Sequence, residues 1–293
     1  MNNLRRTLSL LLALVMLVAL GAFASAEDSA SAETAVTLTD EDVASLSYLN
    51  GQLRVGMECA YAPNNWQESE ASDTNVPIEN VPGAYAEGYD VQIARIIADQ
   101  LGLELVVVKM DWDGLIEALN QGQIDAIIAG MADTESRKEA INFTSPYHET
   151  VYALMVNAGT PYENATSLAD FNGASVLGQK DTALDWTIDQ IEGVNHLTAV
   201  ASVPDMIARL QQGTCDAIVI NLENAPGYLA ANPDFVVISF PEGEGLDPGF
   251  KGACVGLRKS DEALLSLADA VLATIDQAQR DELWDTALNN QPA

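Results

Sequence analysis

One arginine in this chain stands where its side chain could hold a carboxylate. Arg137 follows the predicted strand 124–129 by a short loop. Open α/β sheets bind ligands at the carboxyl ends of their strands, and a guanidinium there can hold a carboxylate through two parallel hydrogen bonds. The alternative is a solvated surface arginine, because the segment 134–139 around it is polar and charged. Taken alone, this local pattern favours the surface residue.

The other reactive side chains form no catalytic or metal-binding pattern that can be read from their spacing. His148 and His196 have no cysteine or histidine at ligand spacing, so a zinc site is not expected. We find no Ser-His-Asp or Cys-His arrangement and no phosphate-cradling glycine loop. Glu58, Asp181 and Glu223 could act as acid–base groups if they point into a cleft. We predict a chain without a metal or a cofactor.

The cysteines allow two interpretations. Cys59, Cys215 and Cys254 are isolated in the sequence, and such cysteines are more often small buried hydrophobic residues. An exported chain could instead bridge one pair. The pair that we then predict is Cys59 with Cys254, because both fall in the outer segments of the chain.

The elements that would position a binding site occur twice. The segment 116–127 recurs as 207–218, with seven of twelve positions identical. Each copy is typical of the end of an amphipathic helix, with Gly122 or Gly213 as a left-handed C-cap, followed by a buried parallel strand. Two copies indicate two similar α/β lobes, whose cleft could bind a small molecule. The alternative is that this helix–strand unit is common in any α/β protein.

The order of the other elements agrees with two α/β lobes. We predict strands at 53–57, 105–108, 124–129, 152–156, 174–177, 235–239 and 253–257, and helices at 91–101, 115–120, 185–191 and 261–288, with a polar loop at 58–82. This βαβ order predicts parallel sheets with right-handed crossovers. Lobe 1 would comprise residues 51–156 with 253–293, and lobe 2 residues 157–252. The crossings between the lobes would lie at 155–157 and 253–256.

The first 26 residues have the pattern of an export signal. Arg5 and Arg6 precede an apolar stretch at 8–20, and the small residues at 24–26 fit a cleavage site. The apolar stretch is short for a membrane span, and no second one follows. We therefore predict a signal peptide at 1–26, a flexible acidic tether at 27–50 with room for one helical turn, and a mature chain in the periplasm or outside the cell.

The chain is strongly acidic. Removal of residues 1–26 would take away two arginines and leave 11 basic and 43 acidic residues, a net charge of −32. Such a charge repels nucleic acid and anionic lipid, so neither is an expected partner. It could favour a cationic ligand, but a general acidic bias that keeps the chain in solution explains it equally well.

Six segments, taken in order, resemble one known family. They are Leu53-Arg-Val-Gly, Gly88-Tyr-Asp-Val, Trp112-Asp-Gly-Leu-Ile-Glu-Ala-Leu119, Asp125-Ala-Ile-Ile-Ala-Gly-Met131, Thr134-x-x-Arg137 and Phe143-Thr-Ser-Pro-Tyr147. Together they resemble the family 3 extracellular solute-binding proteins, which serve ABC importers of polar amino acids. The resemblance covers roughly residues 53–290. It implies a type II periplasmic-binding-protein fold, with two α/β lobes joined by two hinge crossings. It also implies a monomer that closes on an amino acid and presents it to a membrane permease.

The resemblance also implies which residues contact the ligand. Arg137 would hold the α-carboxylate, and the backbone carbonyl of Gly130 would accept from the α-ammonium. Two aromatic residues would enclose the ligand's side chain, with an acid near its polar end and a second-lobe loop completing the site. These other positions are Glu58, Tyr61, Trp112, Ala132, Gln179, Thr182 and Asn221. The alternatives are core packing for the two aromatic residues and a solvated turn for the second-lobe loop.

Three residues depart from the family's pattern. Ala132 stands where a serine or threonine is common, Asp181 replaces a usual glycine, and Asn221 occupies the position of an acid that pairs with the α-ammonium. A neutral amide still accepts a hydrogen bond but loses the charge-assisted part, about 1 kcal/mol. The ligand is then an amino acid held unusually, or a relative of one. We favour a cationic one such as arginine or lysine, with glutamine as the alternative.

Two other functions compete with capture for import. Some dehydratases share the fold, and an enzyme would need one of the three carboxylates mentioned above as a poised acid or base. A sensor module for a separate receptor is the other alternative. We predict a binding protein and not an enzyme.

Overall fold

A computed structural model of the chain describes residues 36–250 and 252–292. The predicted signal peptide and residues 27–35 of the predicted tether lie outside the described residues. The described part has two separate apolar cores. One is built from residues between 46 and 147 together with residues 253–287, and the other from residues between 152 and 246. We call the parts around these cores the first and the second lobe.

The strands in chain order are β1 (Gln52–Met57), β2 (Ala60–Tyr61), β3 (Asn65–Glu68), β4 (Val76–Pro77), β5 (Tyr85–Glu87), β6 (Glu104–Lys109), β7 (Ala126–Ile127), β8 (Asn142–Phe143), β9 (His148–Glu149), β10 (Tyr152–Asn157), β11 (Ser175–Leu177), β12 (Asn195–His196), β13 (Ala217–Asn221), β14 (Phe235–Ile238), β15 (Gly252–Ala253) and β16 (Gly256–Leu257). The helices are α1 (Asp40–Ser45), α2 (Tyr89–Gln100), α3 (Leu115–Asn120), α4 (Glu135–Ala140), α5 (Ala183–Trp186), α6 (Val203–Gln211), α7 (Ala225–Ala231), α8 (Glu262–Thr274) and α9 (Gln277–Asn290).

The two lobes contain sheets of the same strand order. The first sheet runs β6-β1-β7-β16-β8 and the second β12-β11-β13-β10-β14. In each, the first three strands are parallel, and the fourth is antiparallel to its neighbours. The antiparallel strand, β16 or β10, is in both cases the one that follows a crossing from the other lobe. The duplicated lobes predicted from the repeat are therefore present, although each sheet is mixed rather than wholly parallel.

The repeated aspartate makes the same contacts in both lobes. Asp125 donates its backbone N–H to the carbonyl of Arg54 at 2.7 Å and accepts from the Arg54 N–H through its side chain at 3.1 Å. Asp216 makes the equivalent pair with Ser175, at 2.8 and 2.7 Å. Each aspartate thus fixes its strand beside the neighbouring parallel strand, which is a physical reason for its place in the repeat.

The lobe boundary predicted at residue 156 is wrong. Strand β10 pairs with β13 and β14 in the second sheet, so residues 155–157 are not a crossing. The crossings are the segments 148–151 and 247–253, of which residue 251 is not described, and they pair with each other as the short ribbon β9·β15. The error has a physical reason. Tyr152 to Val156 are all buried, and an apolar run fits the core of either lobe equally well.

Two segments predicted to be a flexible tether and a polar loop have more regular structure and packing than predicted. Helix α1 begins at the capping residue Thr39, and Leu46 and Leu49 behind it are buried in the first core, so this part of the predicted tether is packed. The predicted polar loop 58–82 contributes three strands to a small antiparallel sheet of order β2-β3-β5-β4. Strands of two to four residues are too short to show the alternation that identifies a strand in sequence.

The three cysteines are free buried thiols, so the predicted alternative of a Cys59–Cys254 disulfide is wrong for this structure. Within residues 36–250 and 252–292, no helix combines the length and the apolar character that crossing a membrane requires.

Candidate functional site

A small cavity of about 40 Å³ lies between the two lobes. A buried water needs roughly 10–15 Å³, so the space as it stands holds only a few waters. All nine predicted site residues line it. The first lobe contributes Glu58, Tyr61, Trp112, Gly130, Ala132 and Arg137, and the second contributes Gln179, Thr182 and Asn221. The structure therefore brings together residues that are up to 163 positions apart, from Glu58 to Asn221.

Arg137 lies in the first turn of α4, whose N-cap is Thr134. Its guanidinium donates to the carbonyl of Ala132 at 3.0 Å and, across the cleft, to the carbonyl of Asp181 at 2.7 Å. The guanidinium carbon also lies 5.1 Å from the centre of the Trp112 ring. Burial lowers the pKa of Arg137 to about 10, so the side chain stays cationic at neutral pH.

Glu58 supplies the negative charge of the cavity. Its side chain is 8% exposed, and its Oε1 accepts from Gln179 Nε2 at 3.2 Å across the cleft. Burial raises the pKa of Glu58 to about 7, against the opposing effect of the Gln179 hydrogen bond. Among the described residues that line the cavity, Glu58 and Arg137 are the charged ones. The site therefore offers one cation and one carboxyl whose charge changes near neutral pH.

A tyrosine–amide pair closes another side of the cavity. The hydroxyl of Tyr61 donates to Asn221 Oδ1 at 2.5 Å, from the first lobe to the second. Burial raises the pKa of the Tyr61 phenol well above its usual value, so this donor is neutral. A ligand ammonium at this position would meet two neutral dipoles, in agreement with the departure noted at Asn221.

Two of the predicted site residues, Thr182 and Trp112, and the departure at Asp181 make contacts that the resemblance does not imply. The Thr182 hydroxyl accepts from Leu184 N–H at 3.1 Å and donates to the Gln179 carbonyl at 2.8 Å, so it caps α5 and fixes the loop. Trp112 turns one face to the guanidinium of Arg137. The charge of Asp181 does not enter the cavity, because its exposed carboxylate lies 3.5 Å from Lys180 while its backbone carbonyl meets Arg137.

Sequence reasoning missed four polar or aromatic residues of the cavity wall: Asn64, Thr150, Tyr152 and Phe250. The rings of Tyr152 and Phe250 pack edge to face with their centres 6.3 Å apart. Tyr152 directly follows one crossing between the lobes and Phe250 lies within the other, and that position was the available signal. It was lost because the crossings were predicted at 155–157 and 253–256.

The sequence model of the bacterial extracellular solute-binding proteins, family 3, matches residues 53–286. The chain belongs to this family. Its members bind solutes, so this family 3 protein is a binding protein and not an enzyme. The predicted family and the predicted type II periplasmic-binding fold are confirmed.

Several relatives of this family 3 protein carry names that state a ligand. A probable histidine-binding protein of Campylobacter jejuni is 27% identical over 267 residues, which cover 89% of this chain and 88% of that protein. An arginine-binding extracellular protein of Bacillus subtilis is 25% identical, covering 71% and 80%. A solved amino acid ABC transporter substrate-binding protein of Streptococcus pneumoniae, bound to L-arginine, has a TM-score of 0.73 and 25% identity, covering 86% of this chain and 99% of that one.

Proposed function

We propose that this family 3 protein captures a polar amino acid outside the cytoplasm and delivers it to the permease of an ABC importer. The observation that supports it best is Arg137, a half-buried guanidinium that reaches a cavity between two lobes. A carboxylate there would accept bidentate hydrogen bonds and neutralise the arginine. The relatives named as histidine- and arginine-binding proteins support an amino acid as the source of that carboxylate.

The charges of the cavity support a proposed role for each residue. The ligand's α-carboxylate lies at Arg137, and its α-ammonium lies near Gly130 and the amide of Asn221. The ligand's side chain extends past Trp112 toward Glu58. A guanidinium or ammonium at that end keeps Glu58 ionised, since burying either charge alone is costly.

Glutamine is the second candidate ligand, and one observation favours it. Gln179 already donates an amide N–H to Glu58, so an amide of a ligand could take that place. Because the pKa of Glu58 is about 7, its protonated form is available near neutral pH to donate a hydrogen bond to an amide oxygen.

The lobes open to admit the ligand and close on it. The contacts that cross the cleft, Tyr61 to Asn221, Arg137 to Asp181 and Gln179 to Glu58, leave a cavity too small for an amino acid. We propose that the lobes move about the ribbon β9·β15, because this ribbon belongs to both crossings. The protein acts as a monomer in this cycle.

The test is calorimetry and thermal-shift titration with L-arginine, L-lysine, L-histidine, L-glutamine and putrescine, which lacks a carboxylate. We expect at least one amino acid to bind and putrescine to fail. Arg137→Ala should weaken binding by about 2–5 kcal/mol, since it leaves a carboxylate unpaired in a closed cleft. The matched control is Arg209→Ala, which removes an exposed arginine of α6. Equal affinities of Arg137→Ala and parent within about threefold would exclude the arginine as the carboxylate clamp.

A further inference from the structure

Beneath the cavity lies a carboxylate with no exposed surface. Asp90, the second residue of α2, is 0% exposed. Its Oδ1 accepts from the hydroxyl of Tyr147 at 2.6 Å, and its Oδ2 accepts from Asn65 Nδ2 at 2.8 Å. Both oxygens are therefore engaged, each by a side chain from a different segment of the chain.

The first branch ends at the cavity wall. The Tyr147 hydroxyl, while donating to Asp90, accepts the backbone N–H of Gly130 at 3.0 Å. Gly130 lines the cavity with a φ of 64°, and a Cβ at this position would come within 3.0 Å of the Tyr61 ring. The orientation of the Gly130 peptide thus depends on a buried hydroxyl that Asp90 holds in place.

The second branch ends beside the cavity's carboxyl. Asn65, while donating to Asp90, accepts the backbone N–H of Cys59 at 2.8 Å. Cys59 has a left-handed φ of 51°, which is unfavourable for a residue with a side chain, and it directly follows Glu58. The hydrogen bond from Asn65 therefore stabilises the backbone turn from which the Glu58 side chain enters the cavity.

We propose that Asp90 is a positioning residue of the ligand site, whose two oxygens hold the Gly130 peptide through Tyr147 and the Glu58 turn through Asn65. The predicted effect on ligand affinity rests on the proposed function. The hydrogen-bond geometry of the two branches is independent of that function. Asp90 contacts no ligand itself. It orients the two backbone segments that carry the predicted ammonium acceptor and the predicted acid.

The test compares two buried tyrosines, each 1% exposed. Tyr147→Phe removes the hydroxyl that joins Gly130 to Asp90. Tyr89→Phe is the matched control, because its hydroxyl donates only to the Tyr147 carbonyl, at 3.0 Å, and leaves Gly130 untouched. We measure amide hydrogen exchange of Gly130 by NMR without ligand, and L-arginine affinity by calorimetry, at a temperature where both variants are folded.

We expect Tyr147→Phe to speed exchange at Gly130 by more than tenfold and to weaken L-arginine binding at least tenfold, and Tyr89→Phe to change either by less than threefold. Unchanged Gly130 exchange in Tyr147→Phe, or equal losses of affinity in both variants, would overturn the proposal. If Tyr147→Phe does not fold, Asp90→Asn replaces it. The asparagine side chain in Asp90→Asn has one oxygen and can accept a hydrogen bond from only one of Tyr147 and Asn65. Amide hydrogen exchange must therefore rise at Gly130 or at Cys59. Failure of the parent to bind any amino acid would contradict the proposed function alone, since the exchange result needs no ligand.

Discussion

Replacing Glu58 by glutamine should stabilise the protein and impair its function. Burial raises the pKa of Glu58 from 4.5 to about 7. The folded state therefore binds the proton more tightly than the unfolded state, and the stability that the protonated group contributes is lost as pH rises from 4.5 to 7. At 1.36 kcal/mol for each pKa unit, the raised pKa lowers the free energy of unfolding by about 3 kcal/mol at pH 8, where the buried group is ionised, and by about 1 kcal/mol at pH 5, where the group takes up a proton on folding. Glu58→Gln keeps the shape of the side chain and removes the ionisable group, so the variant does not lose this stability.

The same substitution tests the ligand. A cationic side chain needs ionised Glu58, so L-arginine affinity of the parent should fall about tenfold from pH 8 to pH 6, as the ionised fraction falls. In Glu58→Gln this dependence should disappear and arginine should bind weakly at both pH values. L-glutamine, if it is the ligand, should bind Glu58→Gln at least as well as the parent.

Urea unfolding at pH 5 and pH 8 measures the stability, and calorimetry at pH 6 and pH 8 measures the affinity. Glu192→Gln is the control, because this exposed glutamate in a turn should show neither effect. A Glu58→Gln variant that is no more stable than the parent at pH 8, or whose increase in the free energy of unfolding is the same at pH 5 and pH 8, would contradict this prediction.

Three further predictions follow from the contacts across the cleft. Saturating ligand should reduce the radius of gyration in small-angle scattering; an unchanged value would mean that the cleft is static or already closed without ligand. Asp181→Gly should raise the free energy of unfolding by about 1 kcal/mol, because Asp181 has a left-handed φ of 59° that glycine adopts without strain. It should keep ligand affinity, because Asp181 contacts Arg137 only through its backbone carbonyl. A large loss of affinity in calorimetry would show that the carboxylate contributes to binding. Lys180→Ala removes an exposed ion pair with Asp113 at 3.0 Å and should weaken binding by less than threefold, with no difference left in 1 M salt; a tenfold, salt-independent loss would contradict this.

The repeated segments 116–127 and 207–218 predict much of the fold because each buries the same side of its helix end and strand in the core of its own lobe. The seven shared positions of the repeat become a helix end, a left-handed glycine and an aspartate that ties two parallel strands together in each lobe. The assignment of β10 failed for the opposite reason. Its residues are apolar throughout, and periodicity carries no information about which of two cores an apolar strand joins.

The candidate site was predictable residue by residue only where a family pattern supplied the positions. What the side chains do there depends on contacts between distant segments. Thr182 uses its hydroxyl as a helix cap, and Trp112 stacks on Arg137, because the fold places those partners nearby. Asp90 was visible in the Gly88-Tyr-Asp-Val segment, but its two branches reach residues 25 and 57 positions away.

The chain's large negative charge does not decide which ligand the cavity prefers. A net charge of −30 raises the encounter rate of cations at low salt, and this effect falls off over about 8 Å in physiological salt. Equilibrium selectivity is set inside the cleft, where one guanidinium faces one carboxyl across a space closed by neutral groups. A neutral zwitterion pairs its carboxylate with Arg137 and brings no side-chain charge to Glu58, which favours protonated Glu58. A cationic amino acid pairs its carboxylate with Arg137 and its side-chain charge with ionised Glu58, and in both cases the α-ammonium meets only neutral groups. The choice between them therefore depends on the ionisation of one buried carboxyl and on the Asp90 branch that holds its backbone in place.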